Sequence, residues 1–164
     1  EDVYRFVSTI FNAEKLAPEC AILSLCYTER LLETGKVTLS ATNWRRLILS
    51  CIILASKVWE DQAVWNVDFV NVFPRLSVAD LNRMEKIVLS MLQYNVSLHA
   101  SLYAKYYFEL RDLSDLDDGV FPLQPLNPHS AEAAQNRVEG MQRRKGHHRA
   151  RSLDSSISVP APSH

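Results

Sequence analysis

Two charged side chains lie where the apolar pattern predicts core residues. Lys57 ends the run "LILSCIILASK", in which all the preceding residues except two serines are apolar. On a helical wheel with Leu81 at 0°, Glu85 falls at about 40°, between Leu92 at about 20° and Leu89 at about 80°. A buried charge is costly unless it is paired, so each side chain needs a partner. If the third and fifth predicted helices pack side by side, both charges point into one surface groove. The spacing alone favours an internal ion pair or a wetted strip over a binding site.

No motif in the sequence indicates an enzyme. There is no glycine-rich phosphate loop, no G-x-S-x-G and no H-E-x-x-H. The pair His147-His148 has no third ligand in register, which favours solvation over a metal site. The adjacent acids Glu60-Asp61 and Asp117-Asp118 are interpreted as solvated charge. We therefore expect a protein without catalytic activity, cofactor or metal.

A short motif near the C-terminal end suggests regulation by phosphorylation. Arg149, Arg151 and Ser152 form R-x-R-S, the pattern that basophilic kinases phosphorylate and that 14-3-3 proteins bind through an arginine cluster. The alternative is a basic, flexible segment that interacts loosely with acidic partners. The motif by itself leaves both interpretations open.

Composition limits the class of protein. The chain has 164 residues, 47% of them apolar and 23% charged, and a net charge of −1. This length suits one domain plus some unstructured sequence, and this charge argues against a strong field that captures nucleic acid or a membrane. Three cysteines without a C-x-x-C pattern indicate reduced core thiols of a cytosolic protein. Because the sequence starts at Glu1, we expect it to be a fragment or a processed product.

The chain is predicted to be all-α in its first two thirds. Up to about residue 112 the apolar residues recur at helical spacing, and no period-2 stretch appears. The third predicted helix is apolar almost all round, which is typical of a central helix wrapped by others. Ser77 and Asp80 resemble a capping box, and residues 40–43 are expected to supply capping oxygens to the third helix. The five or six predicted helices are about 2–12, 18–34, 44 to the acid pair at 60–61, 66–72, 78–94 and 98–113.

Beyond this helical part the composition changes. Residues 113–130 are acidic and then proline-rich, which predicts a linker. Residues 131–164 are polar, basic and serine-rich, so they cannot bury enough apolar surface to offset the entropy of ordering. We predict a mostly disordered tail, with at most a brief helix at 131–141.

Three stretches resemble the cyclin box, a five-helix domain with a buried third helix. They are "SLCYTERLL", "LASKVWED" and "RMEKIVLSML", and the resemblance covers residues 1–112. It implies a regulatory subunit that binds and activates a cyclin-dependent kinase. In cyclins the lysine of "LASK" and the glutamate of "R-M-E" hydrogen-bond the kinase segment before its αC helix, and here these are Lys57 and Glu85. In the free protein the two are expected to pair and to stay partly solvated. The resemblance places further kinase contacts at Val58, Tyr94 and Val96.

Within the cyclins, two longer stretches resemble the cyclin Y branch. They are "LASKVWEDQAVWNVDF" and "YAKYYFELRDL". This likeness implies a kinase of the PFTAIRE or PCTAIRE type as partner, and 14-3-3 binding through phosphorylated Ser152. It also implies a cytoplasmic protein whose full-length form is held at the plasma membrane by a lipidated N-terminus, while nuclear residence stays open.

The sequence departs from mitotic cyclins in its first helix. Their "M-R-A-I-L" and tryptophan form a patch that docks substrates, whereas the aligned residues here are Glu1, Asp2, Val3 and Phe6. We therefore expect no docking of R-x-L substrates. The second hypothesis is a cyclin-fold scaffold like the basal transcription factors, which binds no kinase. Residues 1–112 carry 12 Lys and Arg against 13 Asp and Glu, so no basic excess supports DNA binding.

Overall fold

Six α-helices make up the residues that the structure, a computed structural model, describes, which are 2–34 and 37–115. No strand occurs among these residues, which confirms the all-α prediction. None of the helices in the described ranges is long and apolar enough to cross a bilayer. The helices are α1 (Asp2–Glu14), α2 (Glu19–Glu33), α3 (Trp44–Trp59), α4 (Asn66–Val72), α5 (Val78–Met91) and α6 (Ala100–Asp115).

Helix α3 is the central element, as predicted. Ten of its 16 residues are buried, and it packs against α2 and α5. Its side chains contribute to two hydrophobic clusters. Leu54 and Val58 belong to a cluster shared with α2 and α6. Leu49 and Ile52 belong to a second cluster shared with α1 and α4. A helix that packs on both sides must be apolar around most of its circumference, which explains the run that ends at Lys57.

The predicted capping box at the start of α5 is confirmed. The Asp80 backbone N–H donates to Ser77 Oγ at 3.1 Å, and the Ser77 backbone N–H donates to Asp80 Oδ2 at 3.1 Å. Hydrogen bonds from Ser77 hold the pKa of the Asp80 carboxyl below its ordinary value. Pro18 was expected in the first turn of α2 and lies one position earlier, as the N-cap.

The expected cap of α3 was wrong in its detail. The N-cap Asn43 makes no side-chain bond to the helix. Its Oδ1 accepts from the Ser40 backbone N–H at 2.8 Å, and its Nδ2 donates to Thr38 O at 2.9 Å. The Asn43 amide thus stabilises the turn before the helix, because Asn side chains bond readily to nearby backbone groups.

Several predicted helix boundaries shift by one to three residues in the structure. Helix α5 ends at Met91 and not at Tyr94, because Gln93 and Tyr94 take left-handed φ angles of 54° and 60°. Such angles cannot continue a right-handed helix. At the other end of the fold, α6 continues to Asp115, so it includes the first three residues assigned to the linker. The rest of the linker, the tail with Ser152 and its arginines, the 131–141 segment and the pair His147-His148 lie outside the described residues.

Candidate partner-binding site

The structure brings Lys57 and Glu85 together between α3 and α5. Lys57 lies in the last turn of α3 and Glu85 in the middle of α5. Lys57 Nζ donates to Glu85 Oε2 at 2.7 Å, and the two side chains are 23% and 20% exposed. The predicted pairing and its partial solvation are confirmed. A half-buried pair of this kind costs little to keep in the free protein, because each charge retains some contact with water.

Two asparagines extend the pair into a network that the sequence did not reveal. Asn66, the first residue of α4, is 5% exposed. Its Nδ2 donates to Glu85 Oε2 at 2.8 Å and to Asn82 Oδ1 at 2.6 Å. Glu85 is therefore held by Lys57 of α3 and Asn66 of α4, and Asn66 is itself held by Asn82 of α5. Asn66 gave no signal in the sequence because it lies in a short segment without clear periodicity.

The network leaves defined groups unused. Both internal donors go to Glu85 Oε2, so Oε1 accepts no hydrogen bond from the described residues. Lys57 carries three N–H donors and uses one of them on a described residue. A free acceptor and free donors thus lie side by side at the surface. This arrangement can bind a backbone N–H and a backbone C=O of one extended segment of a partner.

Of the other three predicted contacts, only Tyr94 is exposed at the surface. It is 51% exposed and lies just beyond the end of α5. Val58 and Val96 are 2% and 4% exposed and belong to the α2–α3–α6 side of the core. The Val96 carbonyl also accepts from Tyr27 Oη at 2.7 Å. Direct kinase contact by Val58 or Val96 does not agree with this geometry, because both side chains are already covered by the chain itself.

The interpretation of Glu60 as solvated charge was wrong. Its Oε1 accepts from the Ala17 backbone N–H at 2.8 Å, just before α2, and lies 3.5 Å from Cys20 Sγ. Ala17 lies one residue before the N-cap Pro18, so the carboxylate satisfies a backbone N–H just outside the helix. Its charge near the helix N-terminus also interacts favourably with the helix dipole. Glu60 therefore ties the end of α3 to the start of α2. Burial, and then the nearby Glu60 charge, raise the pKa of the Cys20 thiol.

An apolar groove of about 410 Å³ lies beside α1. Phe6 is one of its walls and packs against Trp44 and Phe73 at centroid distances of 5.3 and 5.2 Å. Three arginines belong to the lining, and no described carboxylate lies within 4.0 Å of their guanidinium groups. The groove is lined by Phe6, Arg45, Arg46, Leu49, Val72, Phe73, Pro74, Arg75 and Leu76. The charged residues of the lining are thus all basic.

The cysteines of the described part are free, as predicted. Cys20, Cys26 and Cys51 are all buried, and none forms a disulfide. Burial raises the pKa of the Cys51 thiol from its ordinary value of 9.0 to about 11. Across residues 2–34 and 37–115, no cluster of three His, Cys, Asp or Glu side chains is arranged to hold a metal ion.

Comparison with known proteins identifies the domain. The family model described as "Cyclin, N-terminal domain" matches residues 1–97. This span is more than half of the 164 residues and includes α1 to α5, with Lys57, Asn66 and Glu85. Helix α6 lies beyond the match. No solved structure was found to match the chain.

Proposed function

We propose that this chain, which belongs to the cyclin family, binds and activates a cyclin-dependent kinase of the PFTAIRE or PCTAIRE type. Cyclins are regulatory proteins and not catalysts, and their partners are cyclin-dependent kinases. The observation that carries the proposal is the Lys57–Glu85 pair, which is formed in the free chain at 2.7 Å and has hydrogen-bonding groups to spare.

The pair provides a physical route to binding. A kinase segment in extended conformation offers alternating N–H and C=O groups. The Lys57 ammonium donates to a carbonyl, while Glu85 Oε1 accepts from an N–H. Hydrogen bonds to charged groups contribute about 1.5–3 kcal/mol each, more than neutral ones. Once the interface closes, both charges lie away from water, so loss of either one leaves the other and the kinase backbone without partners.

The choice of kinase rests on the resemblance to cyclin Y. The stretches "LASKVWEDQAVWNVDF" and "YAKYYFELRDL" carry that resemblance. The first contains both Lys57 and Asn66, and the second lies within α6. The same resemblance supports residence in the cytoplasm, with the full-length protein held at the plasma membrane by a lipidated N-terminus.

The tail adds a second proposed partner. Phosphorylated Ser152 carries up to two negative charges and three strong acceptor oxygens, which arginine clusters bind. Arg149 and Arg151 supply the context that a basophilic kinase selects. We propose that 14-3-3 binds here and that the chain itself is not an enzyme.

Reconstitution with purified components tests the kinase proposal. A PFTAIRE-type kinase is assayed for peptide phosphorylation alone and with the chain added. We expect a stable complex and an increase in kinase activity of at least tenfold. Absence of binding to any PFTAIRE- or PCTAIRE-type kinase contradicts the proposal. It would favour the alternative, a cyclin-fold scaffold that engages other proteins.

A further inference from the structure

We propose that Asn66 is the positioning residue of the kinase-binding site: its amide fixes the Glu85 carboxylate so that Oε1 faces the partner. This inference rests on the proposed function. It adds α4 to a surface that otherwise comes from α3 and the α5 region. It also identifies a buried amide, and not only the exposed charges, as a determinant of binding.

The hydrogen bonds fix the orientation of the Asn66 amide. Its Nδ2 lies 2.6 Å from Asn82 Oδ1 and 2.8 Å from Glu85 Oε2, and both of these atoms accept hydrogen bonds. An amide nitrogen has two N–H donors, so both are used. Turning the amide over would bring its own oxygen against two acceptors, which is repulsive. Asn66 therefore always presents donors to Glu85.

The same amide carries a cost that points to function. Asn66 Oδ1 is buried and has no hydrogen-bond partner. A buried oxygen without a partner is destabilising, and such groups in folded proteins call for an explanation. A leucine of similar volume at this position would remove that cost. Asparagine at this position thus holds Glu85, but it stabilises the fold less than leucine would.

Without Asn66, the carboxylate would lose its preferred rotation. Lys57 and Asn66 both bind Oε2, and two donors from different helices set the plane of the group. With Lys57 alone, Glu85 is free to swing about a single contact at a surface where it is 20% exposed. The partner would then have to order Glu85 during binding, and the free energy of that ordering would make the binding free energy less favourable.

The test compares asparagines of one helix. Asn66→Leu and Asn66→Asp are paired with Asn71→Leu and Asn71→Asp, since Asn71 lies in the same α4 and is exposed. The dissociation constant for the kinase that binds the parent chain is measured by titration calorimetry, and the unfolding midpoint by circular dichroism. We expect at least tenfold weaker binding for both Asn66 variants and less than a twofold change for both Asn71 variants. The midpoint of Asn66→Leu should lie close to that of the parent.

A double-mutant cycle separates positioning from a general structural role. In the Glu85→Ala background, Asn66→Leu should weaken binding by less than twofold, because there is no carboxylate left to position. An equal loss in both backgrounds overturns the inference. If Asn66→Leu does not fold, Asn82→Ala replaces it. Asn82 is exposed, and its removal takes away one of the two acceptors that orient the Asn66 amide without changing a core residue. A parent chain that binds no kinase refutes the proposed function, whereas unchanged binding by the Asn66 variants refutes only the positioning role.

Discussion

Removing the Glu60 side chain should detach the start of α2 from the end of α3. In Glu60→Ala, the Ala17 backbone N–H loses an acceptor that lies 2.8 Å away. A backbone N–H left without its acceptor costs about 1–3 kcal/mol, and loss of a favourable charge near a helix N-terminus about 0.3–1 kcal/mol. We therefore expect the free energy of unfolding to fall by about 2 kcal/mol. For a domain of this size that corresponds to a lower midpoint by about 8 °C.

Two further variants calibrate this value. Glu60→Gln keeps an acceptor oxygen but loses the charge, so its midpoint should fall by about half as much. Glu109→Ala removes an exposed acid of α6 whose nearest described cation, Lys105, is 3.9 Å away. Exposed helix pairs contribute about 0.2–0.5 kcal/mol, so this control should shift by at most about 2 °C. Thermal unfolding followed by circular dichroism measures all three. Equal shifts for Glu60→Ala and Glu109→Ala would refute the role of Glu60 in tying the start of α2 to the end of α3.

Three other predictions concern pH, substrate docking and the tail. Because the Cys51 thiol has a pKa of about 11 in the folded chain and 9.0 ordinarily, its contribution to stability is present below pH 9 and is lost as the pH rises to 11. That difference amounts to about 3 kcal/mol. The free energies of unfolding of the parent and of Cys51→Ala, measured with urea, should therefore converge as the pH rises from 9 to 11. A constant difference between the two over this range would contradict the prediction. An R-x-L peptide should bind the chain more weakly than about 100 µM by fluorescence anisotropy, because three arginines line the groove beside Phe6 and repel its arginine; micromolar binding contradicts this. Ser152→Ala should reduce 14-3-3 capture after phosphorylation by a basophilic kinase without changing the unfolding midpoint, and undiminished capture places the site elsewhere.

The sequence predicted the pair at the centre of the site because regular periodicity located both of its members. The apolar run before Lys57 and the apolar sector around Glu85 are repeating patterns, so the sequence predicts which face of each helix carries the charge. Their packing then required only that α3 and α5 lie side by side, and the structure places them so.

Features without periodicity were missed. Glu60 binds a backbone N–H that is 43 residues away in sequence, and backbone donors leave no trace in residue types. Asn66 follows a loop and opens a helix of seven residues, too short for a reliable pattern. The end of α5 depends on the left-handed conformation of Gln93 and Tyr94, which neither residue type favours strongly. The resemblance predicted kinase contacts for Val58 and Val96, but both side chains are buried in a hydrophobic cluster to which α2, α3, α5 and α6 all contribute.

The most direct test of the proposed kinase-binding site is the affinity of the double variant Lys57→Ala with Glu85→Ala. Binding to a purified PFTAIRE-type kinase is titrated for the parent and the variant, and the unfolding midpoint of each is recorded. The pair is partly solvated in the free chain, at 23% and 20% exposure, so the midpoint should fall by only a few degrees. Binding should be lost at micromolar concentrations, together with kinase activation. A double variant that folds, binds and activates the kinase like the parent would show that the pair is only an internal ion pair.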